Sequence, residues 1–447
     1  MAPIGIRRGR LAVLSMLALA LALGCAGRDR GERERQSRFR PDTGPRSGEE
    51  LKSALGWSDP EAQSAGRSVL PTDELVEWAD KSRKSRKPAV PSPKKNILII
   101  SGGGVFGAYT AGVLYGWTQA GTRPQFDVVT GISTGALVAV FAFLGPSVDC
   151  ELREAYTTIS NDDVFKRRRL LQSLLSDSLA DNAPLARLIE HYATDDRIRQ
   201  VAAEYRKGRR LYVGTTDLDL RRGIYWDMGA IAARDTPESR ELFRKVILAS
   251  AAIPGFFPPV RIPVVVDGRT TVERHIDGGT TSSMFFAPPY VPPEQRDALP
   301  PTWLHGSDMY ILVAGKMYPD PTPVKSRSLA IAGNAISTIL YDQTRSDLHK
   351  LFLLSVFTGM NYHMTVIPRD LPAPVESTSF KPEEMTVLFE AGAEFGRGGK
   401  WRDSPPGAEP GEGGRYRSGP FLTDTGRYSP LGPTGPESAI PPVIPKK

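Results

Sequence analysis

Cysteine is almost absent from this chain: two in 447 residues, Cys25 and Cys150. That excludes a disulfide framework, and processing at Cys25 would leave Cys150 a lone thiol. Long apolar runs are missing as well. The longest, 11–23, holds about 13 residues where a bilayer-spanning helix needs roughly 20, and no second one follows. Histidine is scarce. Of the five, His191, His275, His305, His349 and His363, none sits in a small-residue turn after an apolar strand. The usual partner of a reactive serine therefore has no obvious candidate. A one-signed charge is lacking too: 57 basic against 50 acidic residues give a net +7. Much of that excess lies in Lys81-Ser82-Arg83-Lys84-Ser85-Arg86-Lys87 and Lys94-Lys95, punctuated by Pro88, Pro91 and Pro93. A solvated linker accounts for it; attraction to anionic lipid headgroups is the sharper reading. Charge confined to a tether on an exported chain does not describe a nucleic-acid surface.

What is present begins at the N-terminus. Arg7, Arg8 and Arg10 precede the 11–23 run, which is the order of a secretory signal. The run stops at Gly24-Cys25. A cysteine there resembles the lipobox of bacterial lipoproteins, where it is lipidated and becomes the first residue. The usual order is leucine, small, small, cysteine; here it is Ala22-Leu23-Gly24-Cys25. The reading is a lipoprotein-type signal over 1–24, and an exported chain held on a membrane of a bacterial cell envelope through Cys25. An ordinary signal or an uncut anchor is the alternative. Residues 25–95 are polar, charged and proline-punctuated. They bury too little apolar surface to offset ordering entropy, which predicts a disordered tether with a short helix near 73–81. Residues 397–447 are dominated by glycine, proline and serine and predict a disordered tail. The folded domain is 96–396.

Within that domain apolar strands alternate with helical segments. Strands are predicted at 97–101, 126–130, 211–216, 309–314 and 364–367, and helices at 108–120, 134–144, 237–250, 328–357 and 381–395. The continuous apolar runs are those of buried parallel strands. The alternation predicts an α/β fold, a three-layer α/β/α sandwich with a mostly parallel central sheet. Asp267-Gly268 predicts a hairpin turn between short strands at 264–266 and 270–272.

Three short stretches carry chemistry. Ser101-Gly102-Gly103-Gly104-Val105-Phe106-Gly107 follows the first strand and opens a helix. Gly131-Ile132-Ser133-Thr134-Gly135 is a G-x-S-x-G between a strand and a small-residue helix, the context of a serine presented on a tight turn. Asp277-Gly278-Gly279 lets a carboxylate approach with little hindrance. The first stretch also matches G-x-G-x-x-G, with Asp127 about 20 residues on. In a dinucleotide-binding unit that acid sits at the carboxyl end of the second strand. Asp127 stands before the strand, at the wrong end. Both glycine turns instead fall at the carboxyl ends of the first two strands and should face one crevice. Bare backbone N–H groups there suit a developing oxyanion. Asp277 is the candidate base, which requires that burial raise its pKa; its plain alternative is a turn-forming Asp-Gly. His275, two residues away, is the rival base.

Four segments now support a resemblance: 101–117 (SGGGVFGAYTAGVLYGW), 131–136 (GISTGA), 249–259 (ASAAIPGFFPP) and Asp277-Gly278-Gly279. On these the chain resembles the patatin-like phospholipases, a family of serine–aspartate lipid acyl hydrolases. Gly214-Thr215-Thr216-Asp217-Leu218-Asp219 and Trp226-Asp227-Met228-Gly229 look familial as well. The likeness spans roughly 96–396. It implies that Ser133 is the nucleophile and Asp277 the general base. The N–H groups of Gly102, Gly103, Gly104 and Val105 would line the oxyanion hole. Gly107, Gly131, Gly135, Gly278 and Gly279 would shape the supporting turns. One departure is Phe106, where many members carry Arg or Lys; other bacterial members lack that cation too.

The likeness implies no metal and no organic cofactor. Its substrate is a membrane lipid, and the sequence names no protein partner. The apolar turn 253–259 suits an acyl-chain wall, or plain packing. The basic, then amphipathic, stretch 166–175 suits a bilayer surface, or a solvated helix face. The expected activity is hydrolysis of lipid acyl esters of the phospholipase A or lysophospholipase type. Two alternatives stand beside it: a Ser-His-Asp esterase using His275, and a catalytically idle lipoprotein that binds lipid or a partner.

Overall fold

The computed structural model describes residues 93–167, 178–266, 269–286, 304–317, 323–372, 374 and 377–405. The signal with Cys25, the tether and its 73–81 segment, the Asp267-Gly268 turn, most of 166–175 and the tail beyond 405 lie outside them.

Ten strands are described: β1 (Asn96–Ile100), β2 (Val128–Ile132), β3 (Lys166–Arg167), β4 (Ala180–Asp181), β5 (Arg210–Asp217), β6 (Arg222–Asp227), β7 (Val260–Val266), β8 (Arg269–Asp277), β9 (Asp308–Val313) and β10 (Asn361–Val366). Eight of them form one sheet in the order β10-β9-β1-β2-β5-β8-β7, with β6 also paired to β5; β3 and β4 pair separately. The ladder from β10 through β9, β1 and β2 to β5 is parallel. Beyond β5 the pairing turns antiparallel, through β8 to β7, and β6 pairs antiparallel with β5 itself. The five parallel strands are those legible in the sequence. The antiparallel flank is wider than the short hairpin expected, because β8 runs from Arg269 to Asp277 and so reaches back along β5. β2 begins at Val128 rather than at 126. Asp127 is diverted to cap the strand entry, accepting from the Asn96 N–H and the Lys95 ammonium.

The described α-helices are α1 (Gly107–Gln119), α2 (Thr134–Leu144), α3 (Asp149–Thr157), α4 (Asn161–Val164), α5 (Ala183–Tyr192), α6 (Asp195–Arg206), α7 (Met228–Ala233), α8 (Pro237–Ser250), α9 (Ser328–Thr358) and α10 (Pro382–Gly398). They flank both faces of the sheet because β1 alternates. Leu98 and Ile100 point into one apolar cluster with α1, α2, α8 and α10, whereas Ile97 and Ile99 point into a second with Leu348 and Leu351 of α9. The protein is thus a mixed α/β fold with a mostly parallel central sheet between helical layers. Order continues past 396: Arg402 exchanges both backbone hydrogen bonds with Met364 of β10, and Trp401 packs on Trp117.

Candidate active site

Every loop that matters meets at the carboxyl edge of β1 and β2. Ser133 stands between β2 and α2 with φ 55° and ψ −126°. Among the described non-glycine residues only Ser133, Arg221 and Asp235 have positive φ. Such strain persists where the surroundings over-determine it. Here they do. A Cβ at Gly131 would lie 2.2 Å from the Gly135 carbonyl oxygen, and one at Gly135 would lie 2.5 Å from that of Ile100. The G-x-S-x-G glycines are what let the turn close against β1. The Ser133 N–H donates to Ser250 Oγ at 2.9 Å, and that hydroxyl donates to the Gly214 carbonyl at 2.6 Å. Ser250 is wholly buried. Sequence reasoning did not single it out, although it lies inside the 249–259 segment that carried the family signal.

Asp277 ends β8 opposite Thr215 of β5. Its N–H donates to the Ala252 carbonyl at 2.8 Å. Its Oδ1 accepts from the Gly279 N–H at 2.7 Å, while Gly278 packs on the Gly214 backbone. Burial pushes its carboxyl up to about 6, against hydrogen bonds from the Ser133 hydroxyl and the Gly279 N–H that favour the charged form. The fold therefore brings Ser133 and Asp277 into contact, as their motifs predicted.

The glycine loop lies against the serine: a Cβ at Gly102 would be 3.2 Å from Ser133 Cβ. Its four expected donors are not equivalent. Gly102 N–H donates to Ser283 O at 3.0 Å and Val105 N–H to Ser377 O at 2.8 Å. The expectation that both line an oxyanion hole is corrected. Those donors are satisfied by loops that close over the site from far along the chain. Gly103 and Gly104 keep N–H groups with no acceptor among the described residues. Gly107 begins α1 and packs closely on Thr134, behind the serine.

His275 is buried two residues from Asp277, yet it is occupied elsewhere. Trp226 Nε1 donates to Thr215 Oγ1 at 2.9 Å. The Thr215 hydroxyl proton is then free for His275 Nδ1 at 3.0 Å, which leaves Nε2–H for Glu273 Oε2 at 2.9 Å. Neither ring nitrogen serves Ser133. His363 pairs with Asp308 at 2.8 Å, at the opposite edge of the sheet. Asp127 is also at that far edge, so the glycine loop has no ribose-binding acid beside it. Asp217, Glu273 and His275 are the described residues that could hold a cation, with ligand atoms within 4.8 Å of one another. In the tautomer that completes this chain of hydrogen bonds both ring nitrogens of His275 are engaged, Nδ1 by the Thr215 hydroxyl and Nε2–H by Glu273, so the ring offers no free lone pair to such an ion.

A cavity of about 80 Å³ opens between Ser133 and Gly104 and runs into the first apolar cluster. Leu137 and Phe141 of α2, Tyr156 of α3 and Leu188 of α5 wall it. Ile253, Phe256 and Phe257 from the 253–259 turn close one side. The Tyr156 hydroxyl is turned away to donate to the Thr134 carbonyl at 3.1 Å, so the lining is almost wholly apolar. Such a slot suits an alkyl chain and rejects a charged group.

Residues 98–290 match the family described as patatin-like phospholipase. No curated protein matches the chain. Among solved structures, VipD from Legionella pneumophila is 13% identical over 72% of each chain, with a TM-score of 0.32. That superposition is too loose to inform the site. The matched segment holds Ser133, Asp277 and both glycine turns, and this chain therefore carries a patatin-like phospholipase domain, the domain of a family of lipid acyl hydrolases.

Proposed function

We propose that the protein is a serine–aspartate acyl hydrolase of membrane lipids, of the phospholipase A or lysophospholipase type. The observation that carries this reading is the meeting of a strained Ser133 with a buried Asp277 at the mouth of an apolar cavity. Ser133 Oγ attacks the ester carbonyl carbon, and its proton passes to Asp277. A carboxyl raised to about 6 is a stronger base than an ordinary carboxylate yet still ionised at neutral pH. The N–H groups of Gly103 and Gly104 hold the oxyanion; one well-placed donor is worth about 2.7–4 kcal/mol in the transition state. Collapse breaks the ester C–O bond, and the leaving alkoxide takes the proton from Asp277. Water, deprotonated by the same carboxylate, then releases the fatty acid and restores the serine. The cavity accommodates the acyl chain.

Ser133→Ala tests the reading. Labelling by a fluorophosphonate and turnover of acyl esters should both vanish while circular dichroism is unchanged. Labelling that persists in the folded variant would overturn it. The second part of the proposal concerns location: Cys25 is lipidated after export and holds the enzyme on the membrane it attacks. Mass spectrometry of the mature N-terminus should find a diacylated or triacylated Cys25. An unmodified cysteine, or cleavage elsewhere, removes the anchor from the account.

A further inference from the structure

α9 divides into two unlike halves. Its C-terminal half is tied down. Asp347 Oδ2 accepts from the Ser283 N–H at 2.8 Å and the Ser282 hydroxyl at 3.0 Å, and Leu348 and Leu351 enter the second apolar cluster. The N-terminal half is bare: residues 331–340 are all exposed. Ile331, Ile336, Ile339 and Leu340 are 45–64% exposed, which is far from the burial such side chains favour.

The direction of the helix gives that bareness meaning. α9 ends just before β10, whose first residue Asn361 pairs with Asp308 at the amino edge of the parallel strands. The helix therefore climbs, read backwards, toward the carboxyl edge, where Ser133 lies. Gln343 marks the level of the site by donating to the Gly279 carbonyl, two residues beyond Asp277. From there to Ser328 are 15 more residues, roughly 22 Å at 1.5 Å each. This apolar helical prong thus stands beyond the catalytic edge.

Its composition selects a partner. No charged residue occurs from 328 to 341. At helical spacing, Ile331, Ala332, Ala335, Ile336, Ile339 and Leu340 form one half of the surface, and the other half is small or neutral. Thr338 folds its hydroxyl onto the Asn334 carbonyl at 2.8 Å, which hides a polar group from an apolar medium. Exposed Lys325 and Arg327 precede Ser328 at the far end of the prong; with the helix lying along the surface, their long side chains reach anionic headgroups while its apolar face sinks among acyl chains. Among the described residues no single helix is long and apolar enough to cross a bilayer, so the insertion is shallow.

We propose that residues 328–341 of α9 dock into the surface of a bilayer containing anionic lipid and set the catalytic edge against it. The proposal rests on the lipid hydrolase reading for its purpose but not for its test. In the full chain with Cys25→Ser and Cys150→Ser, Ile339→Cys is labelled with an environment-sensitive nitrobenzoxadiazole. On phosphatidylcholine–phosphatidylglycerol vesicles its emission should rise, move to the blue and be quenched by lipids with nitroxides on their acyl chains. An unchanged label overturns the proposal. In the otherwise native chain, Ile336→Glu with Ile339→Glu should cut vesicle lipid turnover at least tenfold and leave turnover of a soluble short-chain ester within twofold. Equal vesicle turnover overturns it too. So does a dimer, seen by ultracentrifugation, that the same double variant dissociates. If the parent hydrolyses neither vesicle nor soluble ester, the hydrolase reading fails, and the label alone decides the docking.

Discussion

His275 and Asp277 stand two residues apart on β8, and both are buried. They differ in what surrounds them. The histidine sits in a completed chain of hydrogen bonds, Trp226 to Thr215 to His275 to Glu273. The aspartate sits where the chain of partners stops: one oxygen is held by the Gly279 N–H, and the carboxyl meets only the Ser133 hydroxyl besides. Burial costs the first little because every polar atom on the ring is matched. It costs the second a great deal, and its raised pKa records that cost. The lesson is that an unmet requirement, rather than a reactive residue type, singles out the candidate base. Histidine is the commoner catalyst, yet here its ring is the hydrogen-bonded member of the pair.

The sharpest way to break this contrast is to exchange charge for shape. Asp277→Asn keeps the hydrogen bond from Gly279 and cannot take a proton. It should lower kcat by about 10²–10⁴-fold, the usual range for a general base. Steady-state turnover of a soluble ester measures it, and a loss under tenfold would remove Asp277 from the role.

The same carboxyl predicts a dependence on pH. Its pKa rises on folding from 3.8 to about 6. Between those values the folded chain holds a proton that the unfolded chain has released. Stability conferred by that proton is complete below the lower value and lost as pH climbs through the upper one. At 1.36 kcal/mol per unit, the ionised carboxylate costs roughly 3 kcal/mol above about pH 6. Asp277→Asn should therefore be more stable than the parent near pH 8 by up to that amount, and by little near pH 4. Denaturant melts at both values test it. In the parent, kcat/KM should climb about tenfold per unit below pH 6 and level off above it.

Ser250 extends the comparison to positioning. Ser250→Ala leaves the Ser133 N–H without its acceptor in a wholly buried place. A cost of about 1–3 kcal/mol in stability is expected, together with a drop in kcat that exceeds any change in KM. Retained kcat with lost stability would limit Ser250 to packing.

The smallest effect belongs to His275. His275→Gln should keep turnover within a few-fold and lose some stability through its two hydrogen bonds. A collapse of activity in the folded variant would reverse the assignment and restore a histidine triad.

Much of this was legible before the fold. The strand–glycine–helix order at 97–107 and at Gly131–Gly135 follows from apolar runs broken by residues that only a tight turn needs, and β1, β2, α1 and α2 lie where those patterns put them. Asp277-Gly278-Gly279 was visible for the same reason. The donors were misjudged because a backbone N–H carries no sequence signature. Gly102, Gly103, Gly104 and Val105 look alike along the chain, and only the approach of Ser283 and Ser377 separates them into occupied and open. Ser250 escaped notice because a helical serine usually bonds within its own helix; its partners lie 117 and 36 residues away.

The sequence by itself determined the repertoire: a parallel α/β core, a serine on a tight turn, a loop of bare donors and an aspartate able to come close. Those features are local, written in periodicity and in glycine placement over a few residues. Tertiary structure decided the assignments. It set Asp277, and not His275, against Ser133, left the Gly103 and Gly104 N–H groups open where those of Gly102 and Val105 are taken, and left the first half of α9 exposed. Each of those choices depends on which distant group arrives to satisfy a polar atom or cover an apolar one, and no local pattern encodes the arrival.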